Sequence, residues 1–504
     1  NVEITHSRKF DSPKYITKIG PIENSSKGSN VVLAWKSNEI TNQLELMELI
    51  LIFEILLGHD GAPLYRAILQ SGLCEDLSNS YFSTALRYIM YGFGVRGVKK
   101  GKEKLFEKFI FEQLNKIIKD GISQDEIESA LMSQDFSNRE IRRASGGPYS
   151  LVLMQRAYRN WMNGSKPAGS ISCNEVFNKI KENIKNNKDY LNSLIEKYLL
   201  SNNSRICLTV IPDKKYNKKF DKILKNKIDL ICKSVPKKER KSFFEKIKTD
   251  TKKLNEFQKT PETPENCNLI PHLTSKDIKV KFEKSTIEKS EILGVDIYEN
   301  KENVNGIVYI NLCFPIDLLE PKDYFFLSFY ADVLTNLGFD GKSWIESSLI
   351  STKCTGDFTS TIINSSCPKS FYEKIGCKDL KDAKLMEYLY KYDPNIARNW
   401  LVVRIKMLEE KTEEAVKMLF SAIKTVDFSD TERLSDLLTE YTNDLCSSIT
   451  SMGYNYPSMR ASCKMSKNNA IDEILCGVSQ LFAIKSQDFS KQNIKALQSK
   501  LEQI

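Results

Sequence analysis

Residues 213–259 carry 17 Lys+Arg against 7 Asp+Glu, a local net charge of +10. The whole chain is +9, so everything outside this stretch sums to about −1. The basic character belongs to one connector and not to the bodies on either side of it. Apolar residues recur at helical spacing within it, first at Phe220, Ile223, Leu224, Ile228, Leu230 and Ile231, then at Phe243, Phe244, Ile247, Leu254 and Phe257. Ser234 to Pro236 separates the two runs. Pro261, Pro264 and Pro271 follow, and each disfavours helix at the residue before it. A helical hairpin and a stiff strap joining two larger bodies are expected. The lysines read as a solvated face. Phe243, Phe244 and Phe257 read as a buried stripe and not as base-stacking aromatics, so nucleic acid is not expected as a partner.

At 504 residues the chain exceeds one core, and two bodies of ordinary to large size are expected. The longest apolar run, residues 49–57, is interrupted by Glu54 and falls far short of the ~20 residues of a bilayer span, so no membrane partner is expected. The 12 cysteines are scattered singly with no C-x-x-C, which favours a reducing compartment.

Along the first body, residues 31–35 (VVLAW) read as a buried strand. Residues 42–57 are apolar nearly all round, which marks a core helix. Gly58, Gly61 and Pro63 break it before a second short helix, and residues 93–98 read as a strand. Three amphipathic helices follow. The second opens on a capping box, Ser123-x-x-Glu126, and the third carries Leu151, Met154, Ala157, Tyr158 and Trp161 on one face. After a helix at 190–200, the strand RICLTVI closes this body. The second body repeats the plan. Asn305-Gly306 precedes a strand with Val308, Ile310, Leu312 and Phe314 on one face. Pro321 opens a helix, residues 359–363 read as a strand, and a polar insertion occupies 365–393. A further strand sets Leu401, Val403, Ile405 and Met407 on one face, and Ser429-x-x-Glu432 caps a long helix. The shared order suggests an internal structural duplication without an obvious sequence repeat.

No catalytic constellation emerges. None of the three histidines, His6, His59 and His272, has another histidine three or four places away, so no helix presents a pair of histidine zinc ligands. No G-x-S-x-G, Walker-type loop or Rossmann glycine pattern occurs. Arg143 and Tyr149 flank a Gly-Gly turn that could suit a substrate carbonyl, but the simpler reading is a helix stop and a restart at Pro148.

The ordered set VVLAW, LLG…APLYRAILQSGL, IESALMSQDFSNREIRRASGGPYSL, NEFQKTPETPE…IPHLTSKDI, Asn305-Gly306-Ile307-Val308-Tyr309 and Cys354-Thr355-Gly356 resembles the pitrilysin-type (insulinase-like) zinc metallopeptidases, in particular the presequence-protease and falcilysin subfamily. It departs from that pattern at Gly58-His59-Asp60-Gly61, Gly356-Asp357, Gly453-Tyr454 and the 365–393 insertion.

The resemblance implies an α+β fold of two layered domains, each an antiparallel-rich sheet covered by helices, joined by a helical hairpin. It places residues 1–212 as the second domain of the N-terminal half, 213–283 as hairpin, strap and hinge, and 284–504 as the third domain. It implies a non-catalytic central portion of a zinc metalloendopeptidase that degrades unfolded peptides inside a closed chamber. Zinc and the His-x-x-Glu-His motif would lie in a first domain, and a substrate-holding Arg and Tyr in a last one, both partners supplied by other polypeptide. No catalytic or metal residue is therefore assigned here, and this chain is expected to bind no zinc and to be inactive alone. The alternative is a catalytically dead homologue that binds peptides or regulates a partner. An intracellular setting is implied, mitochondrial or another organelle lumen.

Overall fold

A computed structural model describes residues 10–21, 28–84, 86–141, 148–171, 173–278, 286–316, 319, 323–364, 399–486 and 491–503. The chain divides into two compact units, one of Asn1–Asp213 with Val304–Ile504, the other of Lys214–Asn303.

The first unit begins with β1 (Lys14–Gly20) and β2 (Ser29–Glu39), followed by α1 (Gln43–Leu57), α2 (Pro63–Gln70), β3 (Asp76–Ser83), β4 (Tyr88–Val98), α3 (Glu103–Asp120) and α4 (Gln124–Arg139). Then come α5 (Tyr149–Met162), α6 (Asn174–Asn186), α7 (Tyr190–Ile195) and β5 (Arg205–Pro212). The strands form one sheet in the order β1-β5-β2-β4-β3. Within it the β1–β5 pair is parallel and the other pairs are antiparallel. Val31, Leu33 and Trp35 alternate onto the buried face at 1 % exposure or less. Against Tyr91 and Phe82 of this sheet, α1 sets Phe53 edge-on at 5.5 and 4.9 Å.

The core helix α1 also buries two acids, each answered by hydrogen-bond donors. Glu48 accepts from the hydroxyls of Tyr190 at 2.5 Å and Tyr198 at 2.6 Å. Glu45 accepts from Ser37 Oγ at 3.0 Å and from the Asn38 amide. Buried charge is tolerated only with such satisfaction.

The second unit holds α8 (Tyr216–Ser234), α9 (Arg240–Lys259), α10 (Pro264–Asn268), β6 (Ile287–Ile292) and β7 (Val295–Asn300). Both expected connector helices are present. Their apolar stripes are not buried, however: Phe220, Phe244 and Phe257 are 52 %, 49 % and 78 % exposed. Neither helix buries a single side chain, because among the described residues no element of this unit packs over the stripes. The pair β6–β7 turns through Leu293 and Gly294, both at positive φ.

The first unit resumes with β8 (Ile307–Pro315), α11 (Tyr324–Leu334), α12 (Trp344–Cys354), β9 (Asp357–Asn364) and β10 (Asn399–Leu408). It ends with α13 (Thr412–Thr425), α14 (Thr431–Ser451), α15 (Asn455–Ser462), α16 (Lys467–Cys476), α17 (Val478–Lys485) and α18 (Lys491–Gln503). Strands β8-β10-β9 form an antiparallel sheet whose Leu401, Val403, Ile405 and Met407 are buried as the alternation requires.

Duplication is visible in the topology. Strand, two helices, two strands and two helices run from β2 to α4 and again from β8 to α14. The sheet orders β2-β4-β3 and β8-β10-β9 correspond, with every pairing antiparallel. A short sequence echo accompanies it. Leu57-Gly58-His59-Asp60-Gly61 precedes α2 and Leu337-Gly338-Phe339-Asp340-Gly341 precedes α12, the same Leu-Gly-x-Asp-Gly sequence at the same place in the plan.

Several local expectations are corrected. The face of α5 bearing Met154, Tyr158 and Trp161 is 57 %, 54 % and 64 % exposed, since α5 packs chiefly on the 3-10 turn Pro167–Ser170. The cap of α14 is Asp430, whose carboxylate accepts from Arg433 N–H at 2.9 Å, while Ser429 N–H is taken by Asp427. Phe314 faces out at 39 % exposure. Residues 142–147, Pro321, His6 and the 365–393 insertion lie outside the described residues.

Candidate functional site

Among the described residues no group of three His, Cys, Asp or Glu side chains could hold a metal ion. His59 Nδ1 lies 3.1 Å from Ser348 Oγ on α12, and burial holds its pKa down to about 4. His272 is exposed and contacts the Cys267 carbonyl. Every described cysteine is free, and burial pushes the thiols of Cys74, Cys207 and Cys354 up, away from nucleophilic use.

The two repeats are instead welded by a polar junction. Arg433 on α14 is nearly inaccessible, with one side-chain nitrogen paired to Asp60 of the first LGxDG turn. Its Nε donates to the Asn336 carbonyl at 3.3 Å, and its guanidinium lies 4.2 Å from the centre of the Trp344 ring. Asp332 and Glu440 face the same cation. Burial, reinforced by the charge of Asp60, raises Asp332 to about 6 and Glu440 to about 7. Beside them Arg96 of β4 bridges Asp76 at 2.7 Å and Asp444 of α14 at 2.9 Å, and Asn443 donates to Asp76 at 2.9 Å.

A second seam joins α4 to α12. Lys353 pairs with Asp125 at 2.5 Å and Glu128 at 3.3 Å, and Ser129 donates to Thr352 at 2.7 Å. Lys406 reaches the buried Glu140 at 3.2 Å and Asp357 at 2.9 Å. Between these polar pairs Met132, Phe136, Ile307 and Leu408 form a small core of their own. Gly356 meets the Phe136 ring so closely that an added Cβ would stand inside it.

A cavity of about 560 Å³ opens where the end of α4 meets the starts of α5 and α6. Arg139, Arg156, Lys181, Asn138, Asn174 and Tyr149 line it, with Asn305 from the turn before β8. The sequence singled out Tyr149 for its spacing from Arg143. The structure places Tyr149 at the first position of α5, after Pro148, on this cavity wall. No sequence signal marked the cavity, because its walls come from helices that meet only in the fold.

Residues 210–377 and 388–486 match the family model for the associated region of M16 peptidases, subfamily C, and residues 4–133 match that described as Peptidase M16 inactive domain. The chain belongs to the M16 peptidase family. Among its relatives, presequence protease 1 (chloroplastic/mitochondrial) of Arabidopsis thaliana is 22 % identical over 454 residues, covering 90 % of this chain and 39 % of that protein. The mitochondrial presequence protease of Schizosaccharomyces pombe is 21 % identical, covering 95 % of this chain and 45 % of that protein. An uncharacterized protein of Borreliella burgdorferi is 25 % identical over 505 residues, all of this chain and 49 % of its own length. The M16 chain thus spans about half, or less, of these curated relatives. Among solved structures, a ferredoxin protease in complex with Arabidopsis ferredoxin is 10 % identical with a TM-score of 0.36, over 99 % of this chain and 50 % of that one.

Proposed function

We propose that this M16 chain is the non-catalytic central portion of a zinc metalloendopeptidase that degrades unfolded peptides in a closed chamber. Residues 1–212 and 284–504 would form chamber wall, and residues 213–283 the hinge. One observation carries the reading: the duplicated strand–helix–helix–strand–strand plan is fused through a buried junction, in a chain whose opening residues match the M16 inactive-domain model. A wall must hold its shape around substrate, and buried charges that each require a particular partner restrict the arrangement more than apolar contact does, even with Nη1 of Arg433 lacking a hydrogen-bond partner among the described residues.

Zinc does not fit the residues described here, since no three ligand side chains converge. The metal and its water-activating chemistry would come from polypeptide outside this chain. The presequence proteases among the relatives are named for mitochondria and chloroplasts, and no described helix is long and apolar enough to cross a membrane. The names of those two relatives favour an organelle lumen, whereas the Borreliella burgdorferi relative is bacterial.

The test uses the chain alone and then together with the zinc-bearing and last domains of a family member. Metal analysis should find no stoichiometric zinc, and a fluorogenic peptide should not be cut, until the other domains are supplied. Turnover by the isolated chain, or one zinc bound per chain, overturns the proposal.

A further inference from the structure

The cavity between α4, α5 and α6 holds more positive potential than its own acids cancel. Arg139 and Lys181 share one carboxylate: Asp135 pairs with Arg139 at 2.9 Å and lies 3.8 Å from Lys181. Arg139 also reaches Glu410 at 3.6 Å. Arg156 has no carboxylate within ion-pair distance among the described residues, and neither has Arg159, which stands one turn further along α5 and is not on the cavity wall. Arg159 is half-buried, its Nε is buried without a hydrogen-bond partner among the described residues, and both burial and the neighbouring Arg156 charge lower its pKa. Two adjacent guanidiniums without a counter-ion among the described residues are an unbalanced arrangement.

Backbone and amide groups add to it. Tyr149 opens α5 behind Pro148, and Asn174 opens α6 behind Cys173; neither cap residue makes a side-chain bond to the free N–H groups of the first turn. Both first residues line the cavity, so two helices, 14 and 13 residues long, present their positive N-terminal ends there. Asn138 is also on the wall, and its buried Nδ2 has no acceptor among the described residues. Glu175, in the first turn of α6, is exposed and does not line the cavity. The volume suits a short piece of polar chain and exceeds what a lone ion needs.

We propose that this cavity is a carboxylate-binding subsite for peptides, taking either an acidic side chain or a free C-terminal carboxylate. Arg156 supplies the charge-assisted hydrogen bond and Asn138 donates to the second oxygen. This rests on the peptide-handling reading above and gives it a preference for acidic peptide segments.

The experiment titrates the full chain with a fluorescein-labelled decapeptide containing one Glu, monitored by anisotropy. It is repeated with Gln in place of Glu, with the C-terminus amidated, and with unlabelled succinate as competitor. Arg156→Gln and Asn138→Ala are compared with Arg66→Gln, which lies on a different groove, and circular dichroism checks that each variant folds. Arg156→Gln should weaken binding of the Glu peptide about tenfold, with a smaller loss for Asn138→Ala and none for Arg66→Gln. Loss on the Glu-to-Gln change assigns the side-chain carboxylate; loss on amidation assigns the C-terminus. Binding that ignores both peptide carboxylates and Arg156 refutes the subsite and leaves the peptide reading standing. Arg156-dependent binding of succinate without any peptide binding keeps the anion site and refutes the peptide reading.

Discussion

Gly356→Ala probes the seam between the two repeats at its narrowest point. A Cβ added at Gly356 would lie well under 3.0 Å from the Phe136 ring, nearer than real Cβ atoms come to anything. From the 2.1 Å of the nearest ring atom, regaining the ~3.5–4.0 Å of ordinary carbon contact requires the ring to retreat by roughly 1.4–1.9 Å. Phe136 is 1 % exposed and held among Met132, Ile307 and Leu408, so it has little room to do so. Overpacking of this kind costs about 1–3 kcal/mol. Replacing glycine also removes unfolded-state freedom worth about 0.4–1 kcal/mol, which offsets part of it. The expected net loss is therefore about 1–2 kcal/mol, read as a lower urea midpoint at unchanged slope by circular dichroism. The cause is tested by Phe136→Leu, which shortens the ring and opens space beneath the new methyl. In that background Gly356→Ala should become neutral or mildly stabilising, a coupling of about 1–2 kcal/mol. An equal cost in both backgrounds would show that the ring contact is not what requires glycine, and would refute the reasoning.

Other consequences concern the charged part of the junction. Replacing Arg433 by Met leaves Asp60, Asp332 and Glu440 facing one another without a cation; a loss of about 3–5 kcal/mol is expected, partly recovered by adding Asp60→Asn, with thermal melting as the readout. Asp332 and Glu440 are raised in the folded chain to about 6 and about 7, so the stability they contribute is full below their unfolded values and fades as pH rises through 6 to 7. Glu440→Gln should flatten that alkaline-side decline in a series of melting points, and an unchanged slope would contradict it. His59, lowered to about 4, acts in the opposite sense: its contribution is full above pH 6.5 and is lost as pH falls through about 4, so His59→Asn should soften acid unfolding. Salt should weaken any association of polyanions with residues 213–259 only modestly, and a steep salt dependence would reopen nucleic-acid binding.

Much of the architecture is legible in the sequence because it rests on periodicity. The alternation of Leu401, Val403, Ile405 and Met407 and the near-continuous apolar run of α1 each require one environment, and each finds it. β1 and β3 carry weaker patterns, since β1 is mostly exposed and β3 has a register shift between Ser78 and Tyr81, so neither stands out. Helices α5, α8 and α9 show the limit of the same logic. Their stripes have helical period, but period says only which residues share a face, not that a partner lies over it. Capping signals are similarly local: the Ser343–Glu346 box is as plain as Ser123–Glu126, whereas Ser429 and Asp430 compete for α14 within one step of each other, and only the fold decides for Asp430. The junction and the cavity are illegible for a different reason. Asp60 and Arg433 are 373 positions apart and belong to different repeats, so nothing local announces the pair.

The divergence of the two LGxDG turns shows how duplication and function part company. In the second copy Asp340 is exposed, sits at positive φ beside Gly341, holds Lys342 at 2.9 Å and takes Thr425 as its N–H acceptor. It closes a turn and nothing more. In the first copy the same aspartate position, Asp60, meets a buried arginine from the other repeat. The residue before it also differs: His59 reaches Ser348 across the seam, where Phe339 merely enters the core. The backbones differ as well, since Asp340 and Gly341 are at positive φ and Asp60 and Gly61 are not. The polar set stands where one repeat contacts the other, because each polar group there demands a particular partner, and an apolar contact could slide. Two explanations compete, a fixed angle between the repeats and added stability, and buried pairs seldom stabilise more than well-packed apolar residues would. Replacing Asp60 and Arg433 together by Leu and Met therefore separates the two explanations. Stability near the original, with a changed distance between spin labels placed on α2 and α14, fits orientation; unchanged distance with unchanged stability would leave the pair without the role argued for it.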